Sequence, residues 1–143
     1  MGPVLRPAPF VLLVVVVLAG CGGGGGSKGS VGGTLPGCAQ AGAPVQLPSS
    51  LASFPLPDGG VIDRTRKDVA GNTVYGGLVP GDVEATRDWY EENLPKSGYE
   101  VKEGDSEEHE AEAEFEGHGV EARYKIRDVA DCDGALGLEV AVR

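Results

Sequence analysis

Alternation of apolar and charged residues over two neighbouring stretches is the feature that most constrains the fold of this chain. In EAEAEFEG, residues 110–117, the two alanines and the phenylalanine are separated by glutamates. In GVEARYKIR, residues 119–127, a valine, an alanine, a tyrosine and an isoleucine alternate with charged side chains. Because successive side chains of a strand point to opposite faces, both stretches predict strands with one buried and one charged face.

The turn between these stretches predicts a hairpin, because Gly117-His118-Gly119 suits a tight connection. Two registers fit the residues. A four-residue loop, 117–120, gives three cross-strand pairs: Glu114–Arg123, Glu112–Lys125 and Glu110–Arg127. A two-residue loop, 117–118, gives two: Glu112–Arg123 and Glu110–Lys125. Either register sets acids opposite bases on the solvent face, at roughly 0.2–1 kcal/mol a pair.

A helical period occurs only in PGDVEATRDWYEENLPKSGY, residues 80–99. Asp82 is suited to the N-cap, because its carboxylate can accept a hydrogen bond from the first turn. The predicted buried stripe consists of Val83, Thr86, Tyr90 and Leu94. Pro95 disfavours helical backbone at the residue before it, so the helix is predicted from Val83 to Asn93 or Leu94.

The other strand predictions complete the fold class. Strands are expected near Val61–Arg66, over Asn72–Pro80 and over Ala135–Arg143, with a turn at Gly71-Asn72 between the first two. The predicted class is α+β, with one helix packed on a mostly antiparallel sheet in the approximate order β-β-α-β-β-β-β. A single small domain is expected over residues 46–143.

The junction between the helix and the next strand carries a resemblance. DWYEENLPKSGYEV, residues 88–101, has an aromatic pair, then Leu-Pro, then glycine and an aromatic residue. This pattern resembles the helix-to-strand signature of small secreted and lipoprotein domains of actinobacterial type. The resemblance implies an α+β fold and no particular activity. Trp89 and Tyr90 are expected to seal the helix to the sheet, with a ligand platform as the alternative.

The beginning of the chain predicts export. Arg6 precedes nine unbroken apolar residues, Phe10–Leu18. At about 1.5 Å per residue such a helix is too short for a hydrocarbon core about 30 Å thick. A basic start, a short apolar run and small residues after it are typical of a secretory signal peptide, here residues 1–20.

The end of this signal resembles the lipobox of bacterial lipoprotein precursors, in Leu18-Ala19-Gly20-Cys21. The resemblance implies cleavage before Cys21 and lipidation of its thiol with a diacylglyceryl group, leaving the protein lipid-anchored at the cell membrane on the extracytoplasmic side. The alternative is an ordinary cleavage site followed by a chance cysteine. The Gly-rich stretch that follows predicts a flexible tether over residues 21–45.

Two further cysteines remain if Cys21 is acylated, namely Cys38 and Cys132. In a secreted chain an even pair favours a disulfide. It would close a loop of about 95 residues, for which the chain-entropy model gives up to about 4–5 kcal/mol. Free thiols or a metal site fit less well, because no histidine is close in sequence to either cysteine.

The net charge of the chain limits the classes of partner that it can bind. The chain carries a formal net charge of −10, and loss of Arg6 with the signal would make the mature part more acidic. Such a charge disfavours nucleic acid and docking on anionic lipid. Calcium fits poorly around Asp131 and Asp133, because the first and twelfth EF-hand positions would be valines, Val129 and Val140. No cofactor or metal is expected.

Catalytic motifs are missing from the sequence, since neither Gly-x-Ser-x-Gly nor a phosphate-binding Walker loop occurs. Both histidines, His109 and His118, are expected to be exposed, and neither has a nucleophile close in sequence. The sequence therefore predicts a membrane-anchored lipoprotein with a non-enzymatic binding or envelope-structural role, and an envelope protein as a partner. The alternatives are a solute- or metal-binding lipoprotein that uses the helix–sheet groove or the acidic strands, and, less favoured, a small hydrolase.

Overall fold

The computed structural model describes Gly2 and residues 29–143. After a short 3₁₀ turn at Ser49–Leu51, the elements are β1 (Val61–Lys67), β2 (Thr73–Pro80), α1 (Val83–Lys96), β3 (Glu100–Glu107), β4 (Glu110–Gly117), β5 (Val120–Asp128) and β6 (Ala135–Val142). The predicted α+β class and the order β-β-α-β-β-β-β are confirmed. The predicted signal peptide, apart from Gly2, and the predicted lipidation site Cys21 lie outside the described residues.

The six strands form one sheet in the order β1-β2-β6-β5-β4-β3, with every neighbouring pair antiparallel. The helix α1 carries the chain from β2 to the opposite edge, where β3 begins. The chain then returns strand by strand until β6 fits between β5 and β2. The two edges of the sheet are therefore β1 and β3, and α1 packs over the β3–β4–β5 side.

The β4–β5 hairpin has the register predicted for the 117–120 loop. Glu114 lies opposite Arg123, Glu112 opposite Lys125 and Glu110 opposite Arg127. The shortest ion pairs nevertheless run diagonally: Arg123 Nη1 is 3.3 Å from Glu112 Oε1, and Lys125 Nζ is 2.8 Å from Glu110 Oε1. Lys125 Nζ also lies 3.6 Å from Glu112 Oε2, directly opposite. Long side chains reach diagonal neighbours across a sheet, so the backbone follows one predicted register and the shortest ion pairs follow the other.

The core lies between α1 and the inner faces of the central strands. Its largest fully buried side chains include Tyr90 from α1, Tyr124 from β5 and Phe115 from β4. The rings of Tyr90 and Tyr124 are stacked with centroids 4.7 Å apart, and Phe54 lies 5.5–5.6 Å from both Phe115 and Tyr90. These aromatic contacts join the helix to the sheet at the centre of the domain.

The end of α1 differs from its prediction, because the helix includes Pro95 and continues to Lys96. The turn that follows the helix provides hydrogen bonds to the carbonyl groups of its last residues, Pro95 included. The Gly98 N–H donates to the Pro95 carbonyl and the Tyr99 N–H to the Leu94 carbonyl, both at 3.1 Å, with Gly98 at φ 87°. This pair of hydrogen bonds is the glycine-terminated cap common at helix ends, and burial of Leu94 holds the last turn helical.

Residues 30–45, here called the strap, lie against the domain, which differs from the flexible tether predicted over 21–45. The backbone of the strap is hydrogen-bonded at five places: Asp82 N to Ser30 O, Gly32 N to Pro80 O, Gly33 N to Asp58 O, Gly42 N to Asp63 Oδ2, and Val45 N to Ile62 O. The donor–acceptor distances are 2.7–3.0 Å. Because Gly32 and Gly33 adopt positive φ angles of 77° and 116°, the chain turns here where other residues would be strained.

The cysteine pair predicted from the sequence fastens this strap. Cys38 in the strap and Cys132 in the β5–β6 loop lie at disulfide distance, with Cα atoms 5.7 Å apart and 94 positions of sequence separation. The cross-link ties the strap to the loop that precedes the last strand, at the end of the sheet where α1 begins.

Candidate functional site

A groove opens between α1 and the β3 edge of the sheet, with a volume of about 380 Å³. We call it the helix–strand groove. Its lining includes Arg87 and Glu91 from α1, Lys102, Gly104 and Ser106 from β3, and Tyr124 from β5. The volume falls within the range of about 300–1,000 Å³ that small-molecule sites occupy.

Small residues beneath the helix create this space. The β3 register shifts between Val101 and Gly104, and Ala113 of β4 lies opposite Gly104. A Cβ added at Gly104 would lie 2.9 Å from the Glu112 carbonyl oxygen and 3.0 Å from the Ala113 Cβ. A side chain at this point would push β3 away from β4, so Gly104 allows the two backbones to approach closely. Since neither Gly104 nor Ala113 has a long side chain, the helix passes over an unfilled volume.

The rim is dominated by Arg87, whose guanidinium is hydrogen-bonded to two side chains and lies 3.7 Å from the carboxylate of a third, Glu91. Its Nε and Nη2 donate to Asp88 Oδ1 at 3.0 and 2.6 Å, and its Nη1 donates to Ser106 Oγ at 3.1 Å. The hydrogen bond to Asp88 raises the pKa of Arg87. A guanidinium carries five N–H groups, so two remain for a further acceptor. Arg87 thus bridges α1 to β3 and retains donors at the groove.

The Tyr124 hydroxyl is buried where β5 lines the groove. The residue is 1% exposed, and its hydroxyl has no hydrogen-bond partner among the described residues. Burial, supplemented by the charge of Glu91, raises the pKa of Tyr124 to about 12, so the phenol stays protonated at neutral pH. A protonated phenol both donates and accepts. A buried polar group without a partner costs about 1–3 kcal/mol of stability.

Two other hydroxyls in the described core are also unpaired, those of Thr86 and Tyr90. Both residues lie on the buried face of α1, and neither lines the helix–strand groove. Tyr124 differs from them because the residue lines the groove, although its hydroxyl oxygen has no surface exposed to solvent. Tyr90 is fully buried against the sheet, which fits the sealing role expected from the sequence.

The residues singled out from the sequence lie elsewhere. Cys38 and Cys132 join the strap to the β5–β6 loop, and neither lines the groove. His109 Nδ1 is 2.9 Å from Asp128 Oδ2, and His118 Nε2 is 2.8 Å from the Ser97 carbonyl oxygen. Arg87 and Tyr124 were not recognised as site residues, although a tyrosine on an otherwise aliphatic strand face was a signal that a polar group would be buried.

Within residues 29–143, no group of three or more histidine, cysteine, aspartate or glutamate side chains is arranged to hold a metal ion. The same part of the chain contains no helix long and apolar enough to cross a membrane. Comparisons of the chain with models of protein families, with curated proteins and with solved structures found no match.

Proposed function

We propose that this protein is a membrane-anchored extracytoplasmic lipoprotein whose folded domain has a non-enzymatic binding or envelope-structural role. The anchor in this proposal is lipidated Cys21, supported by the lipobox-like sequence Leu18-Ala19-Gly20-Cys21 at the end of a short apolar run. Attachment through two or more acyl chains is stable, whereas a single chain binds only marginally. The non-enzymatic assignment rests on the sequence, which lacks a recognised nucleophile motif.

The structural observation that best supports the proposal is the docking of the strap, because it brings the folded domain close to the proposed anchor. Ser30 is hydrogen-bonded to Asp82, so only residues 22–29 separate the proposed anchor from the docked chain. Eight residues span at most about 28 Å even when fully extended. A tether this short would keep the domain close to the membrane, with the start of α1 and the β5–β6 loop on the proximal side. The opposite end of the sheet would then face outward, toward a partner in the envelope.

The anchor is tested by the intact mass of the full chain extracted from membranes, measured with and without reduction. We expect cleavage before Cys21, added acyl mass, and a two-hydrogen deficit that reduction removes. The Cys21→Ser chain is the matched control, since it loses the acyl mass and keeps the Cys38–Cys132 deficit. An unacylated wild-type mass would overturn the anchor.

The partner part of the proposal has a separate test. The acylated protein is cross-linked in intact cells and recovered from detergent-solubilised membranes, with the Cys21→Ser chain as the comparison. We expect an envelope protein that is recovered reproducibly with the anchored form. Absence of any such partner, together with an unaltered envelope after deletion of the gene, would contradict the binding or structural role.

A second candidate function, a solute-binding lipoprotein, is supported by one observation. The helix–strand groove has a volume of about 380 Å³ and is lined by Arg87, which retains two N–H groups for an acceptor. Binding in this groove is compatible with the lipid anchor, because the two functions use different residues. Metal binding has no comparable support within the described residues.

A further inference from the structure

We propose that the uncovered part of β1 in one copy of this protein pairs with the uncovered part of β3 in a second copy, so that the sheet continues from copy to copy. The two segments are residues 64–67 of β1, here called the basic edge, and residues 104–107 of β3, here called the acidic edge. Pairing of this kind goes beyond the role proposed above, because it makes another copy of the chain the partner. It concerns only the folded domain and is separate from the lipid anchor.

Both segments are open to a neighbouring chain. The strap is joined to the backbone of β1 at Ile62 O, and no described residue of the strap bonds to the backbone of residues 64–67. All four residues of each segment are exposed. Each segment lies beyond the register shift of its own strand, in the part that pairs regularly with its neighbour in the sheet. A regular edge strand presents unpaired N–H and C=O groups to which another strand can bond.

The two segments carry opposite charges. The basic edge contains Arg64, Arg66 and Lys67 and no acid, whereas the acidic edge contains Asp105 and Glu107 and no base. Two acidic edges, or two basic edges, would repel each other if they approached. The charges that protect each edge from its own kind therefore favour pairing of one kind with the other.

The acidic edge also places carboxylates opposite other carboxylates. Asp105 lies directly opposite Glu112 of β4, and Glu107 lies opposite Glu110. Like charges directly opposite each other on neighbouring strands are destabilising. The two β4 acids are paired with cations of β5, but neither Asp105 nor Glu107 forms an ion pair with another described residue. Cations placed on the outer side of β3 would offset this repulsion.

The strand directions allow the two edges to pair. Because all neighbouring strands of the six-stranded sheet are antiparallel, β1 and β3 run in opposite directions. A second copy that lies beside the first in the same orientation therefore brings its β1 antiparallel to β3. Its helix is then on the same side of the extended sheet, and corresponding ends of the two sheets face the same way. Copies anchored in one membrane could therefore pair without turning over.

One register pairs the two segments over their whole length and matches their charges. Arg64 and Asp105 lie on the same face, because the row of opposite residues that begins at Arg64 runs across all six strands to Asp105. Pairing of the basic edge with the acidic edge puts two arginine–carboxylate pairs on this face, and opposite charges across a sheet are stabilising. The opposite residues are Arg64–Glu107, Thr65–Ser106, Arg66–Asp105 and Lys67–Gly104.

The arginines of the basic edge keep donors for a second copy. Arg66 Nη2 is 3.0 Å from Glu139 Oε1, and Arg64 Nη1 is 2.9 Å from Asp63 Oδ1. Arg64 Nη2 also donates to the Gly77 carbonyl at 3.2 Å. Since a guanidinium has five N–H groups, each arginine retains at least three for the carboxylates of the acidic edge.

The test is disulfide cross-linking of the full chain in intact cells. Thr65→Cys and Ser106→Cys are introduced together, because these positions are opposite each other in the register above. Within one copy they lie on opposite edges of the sheet, about 24 Å apart at the usual strand spacing, so a disulfide between them has to join two copies. After mild oxidation, non-reducing electrophoresis should show a ladder of dimers and higher multimers that reduction removes.

The two single variants test the direction of pairing. Head-to-tail pairing brings position 65 only to position 106, so Thr65→Cys alone and Ser106→Cys alone should remain monomeric, like the wild-type chain. Dimers of a single variant as abundant as those of the double variant would indicate random or symmetric contact and would overturn the proposal. A cross-linked product whose mass is not a multiple of the chain mass would assign the edge to a different protein, which would also overturn it.

Charge reversal tests what holds the edges together. Arg64→Glu with Arg66→Glu, added to the two-cysteine chain, should abolish the ladder because two acidic edges then face each other. Further addition of Asp105→Arg with Glu107→Arg reverses the second edge and should restore the ladder. Thermal melts followed by Trp89 fluorescence verify that each purified variant is folded.

The remaining outcomes each contradict pairing through these edges. A ladder that survives the first reversal would show that the copies meet through other surfaces. A ladder that the second reversal does not restore, in a folded variant, would show that the charges do not select the partner. Monomers in every sample would overturn the association of copies. None of these results bears on the lipid anchor, which the intact mass decides independently.

Discussion

The two edges of the sheet are protected in different ways. At the β1 edge, the strap covers the strand: Val45 donates to Ile62, Gly42 donates to the carboxylate of Asp63, and the Cys38–Cys132 pair fastens the strap. At the β3 edge none of the residues that the structure describes covers the strand, and seven of its eight residues are exposed. Both edge strands have a register shift, and β3 is in addition acidic; bulges and charges are two known ways to keep an edge from pairing with another chain.

The comparison shows why the candidate ligand site lies where it does. The strap occupies backbone groups of β1 only at its beginning, and α1 packs over the β3–β4–β5 side, away from this edge. At the other edge, the small residues at the β3 bulge leave the helix–strand groove open beneath the helix.

The largest predicted effect removes the fastening of the covered edge. Cys38→Ser combined with Cys132→Ser should lower the free energy of unfolding by about 2–5 kcal/mol, because a 94-residue cross-link no longer restricts the unfolded chain. Denaturant unfolding followed by Trp89 fluorescence measures this. The Cys21→Ser chain is the control, because it keeps the Cys38–Cys132 pair and should unfold at the wild-type midpoint. An unchanged midpoint would mean that the strap is held by its hydrogen bonds alone.

A pair of glycine substitutions compares the edges directly. A Cβ at Gly77 would overlap the carbonyl oxygen of Val61 in β1, whereas a Cβ at Gly104 would lie 2.9 Å from the Glu112 carbonyl oxygen. Because β1 is held by the strap and β3 is free on its outer side, Gly77→Ala should cost about 2–3 kcal/mol and Gly104→Ala about 1 kcal/mol. Denaturant midpoints of the two variants test the order. Equal or reversed costs would contradict the view that the bare edge yields more easily.

Much of the sheet was predictable from local pattern. The alternation over residues 110–127 specified the faces of β4 and β5 and one of the two registers considered, and Asp82 marked the start of α1. These features depend on side chains within a few positions of one another, or directly across a hairpin. The sequence therefore contains most of the information needed to place them.

The strap and the groove were not predictable in the same way. The strap is Gly-rich and has no period, and its hydrogen bonds join residues that are far apart in sequence, such as Gly33 and Asp58. The groove depends on a bulge and on two small residues of neighbouring strands, Gly104 and Ala113, whose effect appears only when a helix crosses them. The local rule for Pro95 was also overridden, because burial of Leu94 and the Gly98 turn favour two or three more helical residues.

A smaller effect is expected where the strap meets the helix. The Asp82 carboxylate accepts the Ala85 N–H at 2.9 Å, while the Asp82 backbone N–H donates to Ser30. Asp82→Ala should lower the free energy of unfolding by about 1 kcal/mol, because the cap is lost and the backbone contact to the strap remains. Asp82→Asn is the matched control and should lose less, since its side chain can still cap. Equal losses, measured by thermal melting, would show that the negative charge matters more than the hydrogen bond.

The smallest effect concerns the turn that ends the bare edge, where His109 meets Asp128. The hydrogen bond to Asp128, aided by the charge of Glu108, raises the pKa of His109 above 6.5. A raised histidine pKa means that the folded state binds the proton more tightly than the unfolded state does. The stabilisation is therefore complete below pH 6.5 and is lost as the pH rises through the raised pKa. Asp128→Asn should bring the pKa of His109 back toward 6.5, measured by NMR titration of its ring proton. If the pKa of His109 is the same in that variant as in the wild-type protein, the ion pair with Asp128 does not stabilise this turn. The turn would then differ from the strap, which the Cys38–Cys132 pair fastens.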